Sequence, residues 1–462
     1  MNVLLSLLQK STDYNQLLKA VEAKQAVAVS GLSQAPRSHV LAAAHEQSGS
    51  PLVAVCQDDM AAKRLASELG AFLGEEPPVL PSRELTLAGA IGVSRQWEQQ
   101  RLRLLYALAQ GRVPVLVASL DALLLRTLPR QTLFSASVTL RVGAEYSMPE
   151  LIERLTRAGY SRASLVEGVG QFALRGGILD VYSPAQEKPL RAEFFGDELD
   201  TMGYFDPITQ RRTENVDEAV LLPVAETEPH LHPQGISGLC EDLRAIIARQ
   251  QRRKTPNQAL IETLQKDCEA LENETLFASA DRYMALIYPE FTTAASYLPQ
   301  EAIVAFCDHG NLQRGEKDRA EEFGLLLDSF LASGTLFGEL CDYYATMDDL
   351  AASLRGRAVI YCDSFLAARY PESLPPKQLL SFTARQLPGY GGSLETAAAD
   401  LKNYASNQYG SIVLCGGQRR GEILKELLAK SGLNALLSFP LTKLPQPGQI
   451  LIAGGSLPAG LE

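Results

Sequence analysis

The sequence predicts an α/β protein in which a parallel-sheet domain is interrupted by a small α+β module and followed by a separate small α/β domain. Residues 25–126 alternate short apolar strands with amphipathic helices, short strands dominate after about residue 136, and a strand–helix–strand unit returns near residue 410. Continuous apolar strands between such helices are typical of a parallel sheet with helices on both faces. The predicted domain boundaries are 1–136, 137–221, 222–384 and 385–462.

The first predicted domain consists of repeated strand–helix units. Residues 25–30, 51–56 and 114–119 are apolar strands, and a helix is expected near 38–47. Asp58 is placed to cap the helix that follows it, 60–73, because an aspartate side chain accepts hydrogen bonds from the first free amides of a helix.

The elements of the later segments are predicted from the same kinds of pattern. In the module we predict a helix at 149–159 and strands at 137–142, 164–169, 172–182 and 190–195, with a bulge at Gly176 and Gly177. Residues 222–290 are mostly helical, 301–308 is another buried strand, and 386–393 is a glycine- and proline-rich linker. The last unit is expected to have strands at 411–415 and 449–453 with a helix at 422–430. Because the sequence ends at Glu462, directly after an apolar strand, we expect it to be a piece of a longer protein.

Composition excludes several classes of protein. The chain has 462 residues, a net charge of −11 and no apolar run of about 20 residues. It lacks a signal peptide, so we expect a cytoplasmic protein without membrane contact. Proteins that hold duplex DNA usually present a basic surface, so DNA contact is not predicted for this chain.

Cysteine and histidine spacing predicts neither disulfides nor a metal site. The seven cysteines are scattered among apolar residues without a C-x-x-C pair, and no nearby cysteine or histidine completes a metal-ligand set with His230 and His232. Buried, reduced thiols and no metal or other cofactor are therefore expected.

Residues 31–38 have the frame of a phosphate-binding loop but not its residues. The pattern is G-x-x-x-x-G-K-[ST], and Gly31 and Ser38 fit it. Pro36 stands at the second glycine and removes an amide donor. Arg37 stands at the lysine, with a longer and planar side chain. Catalytic ATP binding is not expected, although Arg37 and the helix N-terminus could still contact an anion.

The acidic part of such a nucleotide site is also altered. A motor of this kind places Asp-Glu after a buried strand, with the aspartate on magnesium and the glutamate beside the attacking water. Here Asp308 is followed by His309. Two independent departures in one frame predict that this chain is not an enzyme.

Residues 171–184, 189–200 and 205–211 carry a distinctive set of motifs, including Phe-Ala-Leu-Arg-Gly-Gly-Ile-Leu-Asp and Arg-Ala-Glu-Phe-Phe-Gly-Asp. Together they resemble the module that UvrB shares with the bacterial transcription-repair coupling factors. UvrB itself has intact motor motifs and an early aromatic hairpin, whereas residues 80–90 lack that aromatic cluster. The resemblance therefore favours the coupling factors; it is strong over 1–300, weaker over 300–400 and clear again at 393–433 and 450–462.

The resemblance implies a function. Residues 1–136 and 222–384 would be a degenerate, RecA-like, UvrB-like domain, 137–221 would bind UvrA, and 385–462 would be the third domain of the family. In the family, further domains bind RNA polymerase, drive ATP-dependent DNA translocation and mask the UvrA surface through an intramolecular C-terminal domain. The implied role is recruitment of UvrA to stalled RNA polymerase for nucleotide excision repair.

Three residues are predicted to carry UvrA binding. Strand alternation places Phe172 and Leu174 toward the core and Arg175 outward. It likewise places Arg191 and Phe195 together on an outward face. An exposed aromatic beside arginines is typical of an interface hot spot, and the resemblance assigns UvrA contact to Arg175, Arg191 and Phe195.

Other interpretations of these residues stay open. The strand arginines could simply be solvated, and Phe195 could be covered by a neighbouring domain. For the whole chain, the alternatives are an active UvrB-like nucleotide-dependent damage-verification enzyme and a purely autoinhibitory structural clamp.

Overall fold

A computed structural model of the chain describes residues 3–88, 96–273, 277–367, 369–387, 392–457 and 459–462. The strands are β1 (Ala26–Ser30), β2 (Leu52–Cys56), β3 (Val79–Leu80), β4 (Val115–Ser119), β5 (Val138–Arg141), β6 (Ser161–Arg162), β7 (Gln171–Arg175), β8 (Ile178–Val181), β9 (Leu190–Phe195), β10 (Glu198–Phe205), β11 (Arg212–Asn215), β12 (Glu218–Leu221), β13 (Ile303–Cys307), β14 (Ala358–Cys362), β15 (Gln378–Ser381), β16 (Ser411–Cys415), β17 (Ala435–Ser438) and β18 (Ile450–Gly454).

The helices are α1 (Val3–Ser6), α2 (Thr12–Glu22), α3 (Gln34–Ser48), α4 (Asp59–Leu73), α5 (Gln96–Ala109), α6 (Leu120–Leu124), α7 (Arg130–Ala136), α8 (Met148–Arg157), α9 (Gly235–Gln251), α10 (Gln258–Glu272), α11 (Met284–Ile287), α12 (His309–Ala332), α13 (Met347–Ser353), α14 (Leu394–Ser406) and α15 (Gln418–Lys430). Short 3-10 helices are found at Leu7–Lys10, Pro229–Leu231, Ala280–Tyr283, Ala294–Tyr297 and Gly338–Leu340.

The predicted α/β class is confirmed by a seven-stranded sheet in which every pairing is parallel. Its strand order is β15-β1-β14-β13-β2-β4-β3. The five central strands are buried along their whole length because helices cover both faces. Separate apolar clusters lie on the two faces, which explains why the strands read as continuous apolar runs.

Local signals place the helices next to this sheet. Asp58 caps α4 as predicted, and its carboxylate accepts a hydrogen bond from the amide of Ala61 at 2.7 Å. Helix α3 begins at Gln34, four residues before the predicted start. The proline at position 36 is tolerated there because amides in the first turn have no partner within the helix.

The module forms a six-stranded sheet of order β11-β10-β9-β8-β7-β6, with α8 packed on one face. Two predictions here are wrong. The strand expected at 164–169 is absent from this described segment, where only Ser161–Arg162 pairs. Gly176 and Gly177 form the turn of a hairpin rather than a bulge, since Gly176 has φ +62° and β7 pairs antiparallel with β8.

The last unit has a three-stranded parallel sheet of order β16-β18-β17 and an apolar cluster of its own. Strand β16 has the predicted bounds, and α15 begins four residues earlier than predicted. The centre of the predicted linker, 388–391, lies outside the described residues. Among the helices that the structure describes, none is long and apolar enough to cross a membrane.

Candidate functional site

The three residues predicted to bind UvrA lie on one face of the module sheet. Arg175 pairs with Ile178 across the first hairpin, and Arg191 pairs with Asp180 on the neighbouring strand. Phe195 ends β9, two positions beyond Glu193 and four beyond Arg191. Residues on this face therefore alternate with the core residues that pack on α8.

Asp180 fixes both arginines. Its side chain is fully buried, and its two carboxylate oxygens accept hydrogen bonds from Arg191 Nε at 2.7 Å and Nη2 at 2.9 Å. Arg175 Nη2 donates to the same carboxylate at 2.5 Å. Because the pairing with Arg191 is bidentate and the carboxylate is shielded from water, the guanidinium groups are held in a defined arrangement.

Arg191 also contacts the end of β10 and the loop that follows it. Its guanidinium lies over the ring of Phe205, 4.5 Å from the centroid, and Nη1 donates to the carbonyl of Gln210 at 3.2 Å. The hydrogen bonds to Asp180 raise the pKa of Arg191 above its ordinary value, so the side chain stays charged.

Phe195 is the exposed member of a Phe-Phe pair. Phe194 packs against the module core and meets the ring of Tyr146 edge-on, whereas Phe195 is 86 % exposed. None of the described residues covers Phe195 to any large extent. An aromatic ring this exposed, on the same sheet face as two fixed arginines, is available to a partner.

Asp180 was missed in the sequence. Its signal was an aspartate within the apolar strand Ile-Leu-Asp-Val, where a charge requires partners on the same face. Strand alternation predicted that the two arginines point outward. It did not predict that they share a carboxylate.

The predicted nucleotide frame lies at the carboxyl edge of the seven-stranded sheet, where ligands of parallel sheets usually bind. Arg37 Nη2 donates to Asp308 Oδ1 at 2.7 Å, and Arg37 is nearly buried. The arginine that replaces the lysine of the frame therefore pairs with the aspartate that the frame retains. Ser38 is also engaged, since its hydroxyl donates to Glu68 at 2.5 Å.

The structure explains why residue 31 is a glycine. It adopts φ +81°, and a Cβ at this position would lie 1.9 Å from the carbonyl oxygen of Phe382. Glycine is required there because the backbone of residue 382 packs against it. Pro36 lies in the first turn of α3, where it removes one of the amide donors.

His309 is fully buried and packs against the rings of Tyr361 and Tyr370. Burial lowers its pKa to about 4, so the imidazole is neutral near pH 7. Its backbone amide donates to Asp363 Oδ1 at 2.7 Å. Burial also raises the pKa of Asp363 to about 6.

Outside these two sites, the described residues bring Cys240, Cys268 and Glu272 together as donors that could hold a metal ion. All seven cysteines are free thiols, five of them buried.

Comparison with known proteins gives matches to the module and to the whole chain. The family model for the UvrB interaction domain matches residues 138–226. A transcription-repair-coupling factor from Staphylococcus aureus (strain USA300) is 26% identical over 467 residues, covering 99% of this chain and 39% of the relative. The one from Bacillus subtilis (strain 168) is 22% identical over 98% of this chain and 38% of its own length.

A transcription-repair-coupling factor from Myxococcus xanthus is 38% identical over 221 residues, 46% of this chain and 18% of the relative. The chain thus spans about two fifths of the length of the relatives it matches from end to end. These matches confirm the predicted resemblance. The chain is similar to the transcription-repair-coupling factors over nearly its whole length, and its residues 138–226 match the model of the UvrB interaction domain.

Proposed function

We propose that this chain is the part of a transcription-repair coupling factor that recruits UvrA to RNA polymerase stalled at a DNA lesion. The complete protein would release the polymerase by ATP-driven translocation through parts that this chain does not include. The observation that carries the proposal is the exposed ring of Phe195 on the same sheet face as Arg175 and Arg191, within the span that matches the UvrB interaction domain.

The chemistry of this face suits a protein partner. The two guanidinium groups would pair with carboxylates of UvrA, and Phe195 would enter an apolar depression there. Since Asp180 already orders Arg191, little side-chain freedom remains to be lost on binding. A pre-ordered arginine beside an exposed aromatic is the composition that hot spots favour.

We propose further that this chain does not hydrolyse ATP. The Arg37–Asp308 ion pair occupies the region where a lysine and a magnesium-bound aspartate would act, and His309 is buried and neutral. These contacts support a structural rather than a catalytic role for the carboxyl edge of the sheet, and no nucleotide cofactor is expected there.

Two other functions make different predictions. A UvrB-like damage-verification enzyme would turn over ATP in isolation. A purely autoinhibitory clamp would hold the remainder of the protein through an intramolecular C-terminal domain and would not bind UvrA on its own. Both recruitment and the clamp leave Phe195 exposed in this chain, so UvrA binding by the chain itself separates the two functions.

The proposal is tested by calorimetry and co-elution of the chain with purified UvrA. A variant carrying Arg175→Ala, Arg191→Ala and Phe195→Ala is compared with the parent after both are shown to be folded by circular dichroism. Recruitment predicts binding by the parent and its loss in the variant. Absence of binding by the folded parent would overturn the proposal in favour of the clamp.

A further inference from the structure

Helices α9 and α10 bring together two cysteines that are 28 positions apart. Cys240 lies in the second turn of α9, and Cys268 lies one turn before the end of α10. Both side chains are buried between these helices, with exposures of 0 % and 5 %. The Cys240 thiol makes a long contact of 3.8 Å to the carbonyl of Cys268.

A third donor converges on the two sulfur atoms. Glu272 follows Cys268 by four residues and therefore projects from the same side of α10. Its carboxylate oxygen and the two sulfurs all lie within 4.8 Å of one another. In a tetrahedral zinc site with Zn–S bonds of about 2.3 Å, two sulfurs lie about 3.8 Å apart, so only small movements of the three side chains are needed.

The surrounding charge fits a divalent cation. Two thiolates and one carboxylate carry −3, and a divalent cation leaves −1. Arg244, one turn after Cys240, forms an ion pair with Glu272 and supplies the compensating positive charge. Such an outer partner also orients a ligating carboxylate.

We propose that Cys240, Cys268 and Glu272 form a binding site for Zn²⁺ or a similar thiophilic divalent cation. Two thiolates and a carboxylate are ligands that zinc accepts, and the half-exposed Glu272 leaves the fourth position open to water. The ion would connect α9 to α10 and stabilise this helix pair.

Binding at this site depends on pH. Zinc binds the thiolate form of cysteine, so the metal must displace the protons of the two thiols. Affinity therefore rises with pH, since each proton released is part of the binding equilibrium.

The site is tested with Co²⁺ as a spectroscopic probe for Zn²⁺, on the whole chain kept reduced by a thiol-free phosphine. The expected result is one Co²⁺ per chain with a thiolate-to-metal charge-transfer band that Zn²⁺ abolishes by displacement. The band disappears in Cys240→Ser/Cys268→Ser, and Glu272→Gln weakens binding by roughly tenfold or more.

The matched control is Cys56→Ser/Cys307→Ser, which removes another pair of neighbouring buried thiols and leaves the band unchanged. X-ray absorption on the Zn²⁺-loaded parent chain gives a test that needs no variant, with two sulfurs and two lighter ligands expected. A charge-transfer band that persists in Cys240→Ser/Cys268→Ser, or a zinc spectrum without sulfur ligands, overturns the proposal.

Discussion

Arg191 Nε lies 2.7 Å from Asp180 Oδ1, which joins a partly exposed arginine to a carboxylate that solvent does not reach. The residues are cross-strand partners on β8 and β9, so the sheet itself sets their separation. Asp180 also accepts from Arg175, and one buried charge thereby orders two guanidinium groups of the proposed UvrA surface.

The first prediction concerns Asp180. Asp180→Asn keeps the shape but removes the charge, so both arginines lose their fixed orientation. We expect UvrA affinity to fall by about tenfold, since a hydrogen bond to a charged group contributes about 1.5–3 kcal/mol. Calorimetry measures the affinity, and Asp200→Asn, an exposed carboxylate on β10, serves as the control. Unchanged affinity in a folded Asp180→Asn chain would remove Asp180 from this role.

The second prediction concerns the buried ion pair between Arg101 and Glu226, whose side chains are both fully buried. Arg101→Met removes the closer guanidinium partner of Glu226 and leaves a longer ion pair of 4.0 Å to Arg83, so we expect the free energy of unfolding to fall by about 3 kcal/mol. Urea unfolding followed by circular dichroism measures the change. In the control, Arg141→Met, an exposed ion pair with Glu218 is removed, and no measurable loss is expected. Equal effects of the two changes would contradict this account.

The third prediction is a pH dependence at His309. Its pKa is about 4 in the folded chain and near 6.5 when unfolded, so the unfolded chain binds more protons between these values. Stability therefore rises with pH across this window. His309→Phe removes the free-energy cost of keeping the imidazole neutral at low pH. The excess of the variant's free energy of unfolding over that of the parent should therefore be larger at pH 4.5 than at pH 7.5, by on the order of 2 kcal/mol.

The neighbouring Asp363 has a raised pKa, so its contribution to stability falls as pH rises from about 4 to 6. Because Asp363 is present in both chains, its effect cancels in the comparison of parent and variant. Urea unfolding at the two pH values provides the measurement. If the difference in free energy of unfolding between His309→Phe and the parent does not change with pH, the imidazole of the folded parent is not held in its neutral form.

The fourth prediction concerns ATP. Because Arg37 is held by Asp308 and residue 31 packs against Phe382, we expect no ATP turnover and no shift of the thermal unfolding midpoint with ATP and Mg²⁺. A coupled phosphate-release assay measures turnover. Hydrolysis by the parent that disappears in Arg37→Ala would instead support the UvrB-like enzyme.

Local patterns predicted much of the fold. Four buried strands of the large sheet, β1, β2, β4 and β13, and the Asp58 cap depend on residues close in sequence and were predicted, whereas the buried strand β14 was not. The 24-residue helix α12 was not predicted. Of its residues only His309 and Leu312 are buried, and its charged first half lacks a clear apolar stripe.

Contacts between distant positions could not be predicted. Arg37 and Asp308 are 271 residues apart, and Cys240 and Cys268 meet only because α9 packs on α10. The outward direction of Arg175 and Arg191 followed from strand alternation. The burial of Asp180 could not be predicted in this way, since its cross-strand partner Ala173 belongs to an apolar cluster with Val166 and Phe205 that only the fold assembles.

The most direct test of the central claim is the affinity of purified UvrA for the Phe195→Ala chain. Phe365→Ala is the matched control, because the two rings are similarly exposed, at 88 % for Phe365 and 86 % for Phe195. Phe365 lies outside the module, shortly after β14 of the seven-stranded sheet. Recruitment through the module predicts a loss of about 1–3 kcal/mol for Phe195→Ala and none for Phe365→Ala. Parental affinity in the folded Phe195→Ala chain would contradict the proposed surface.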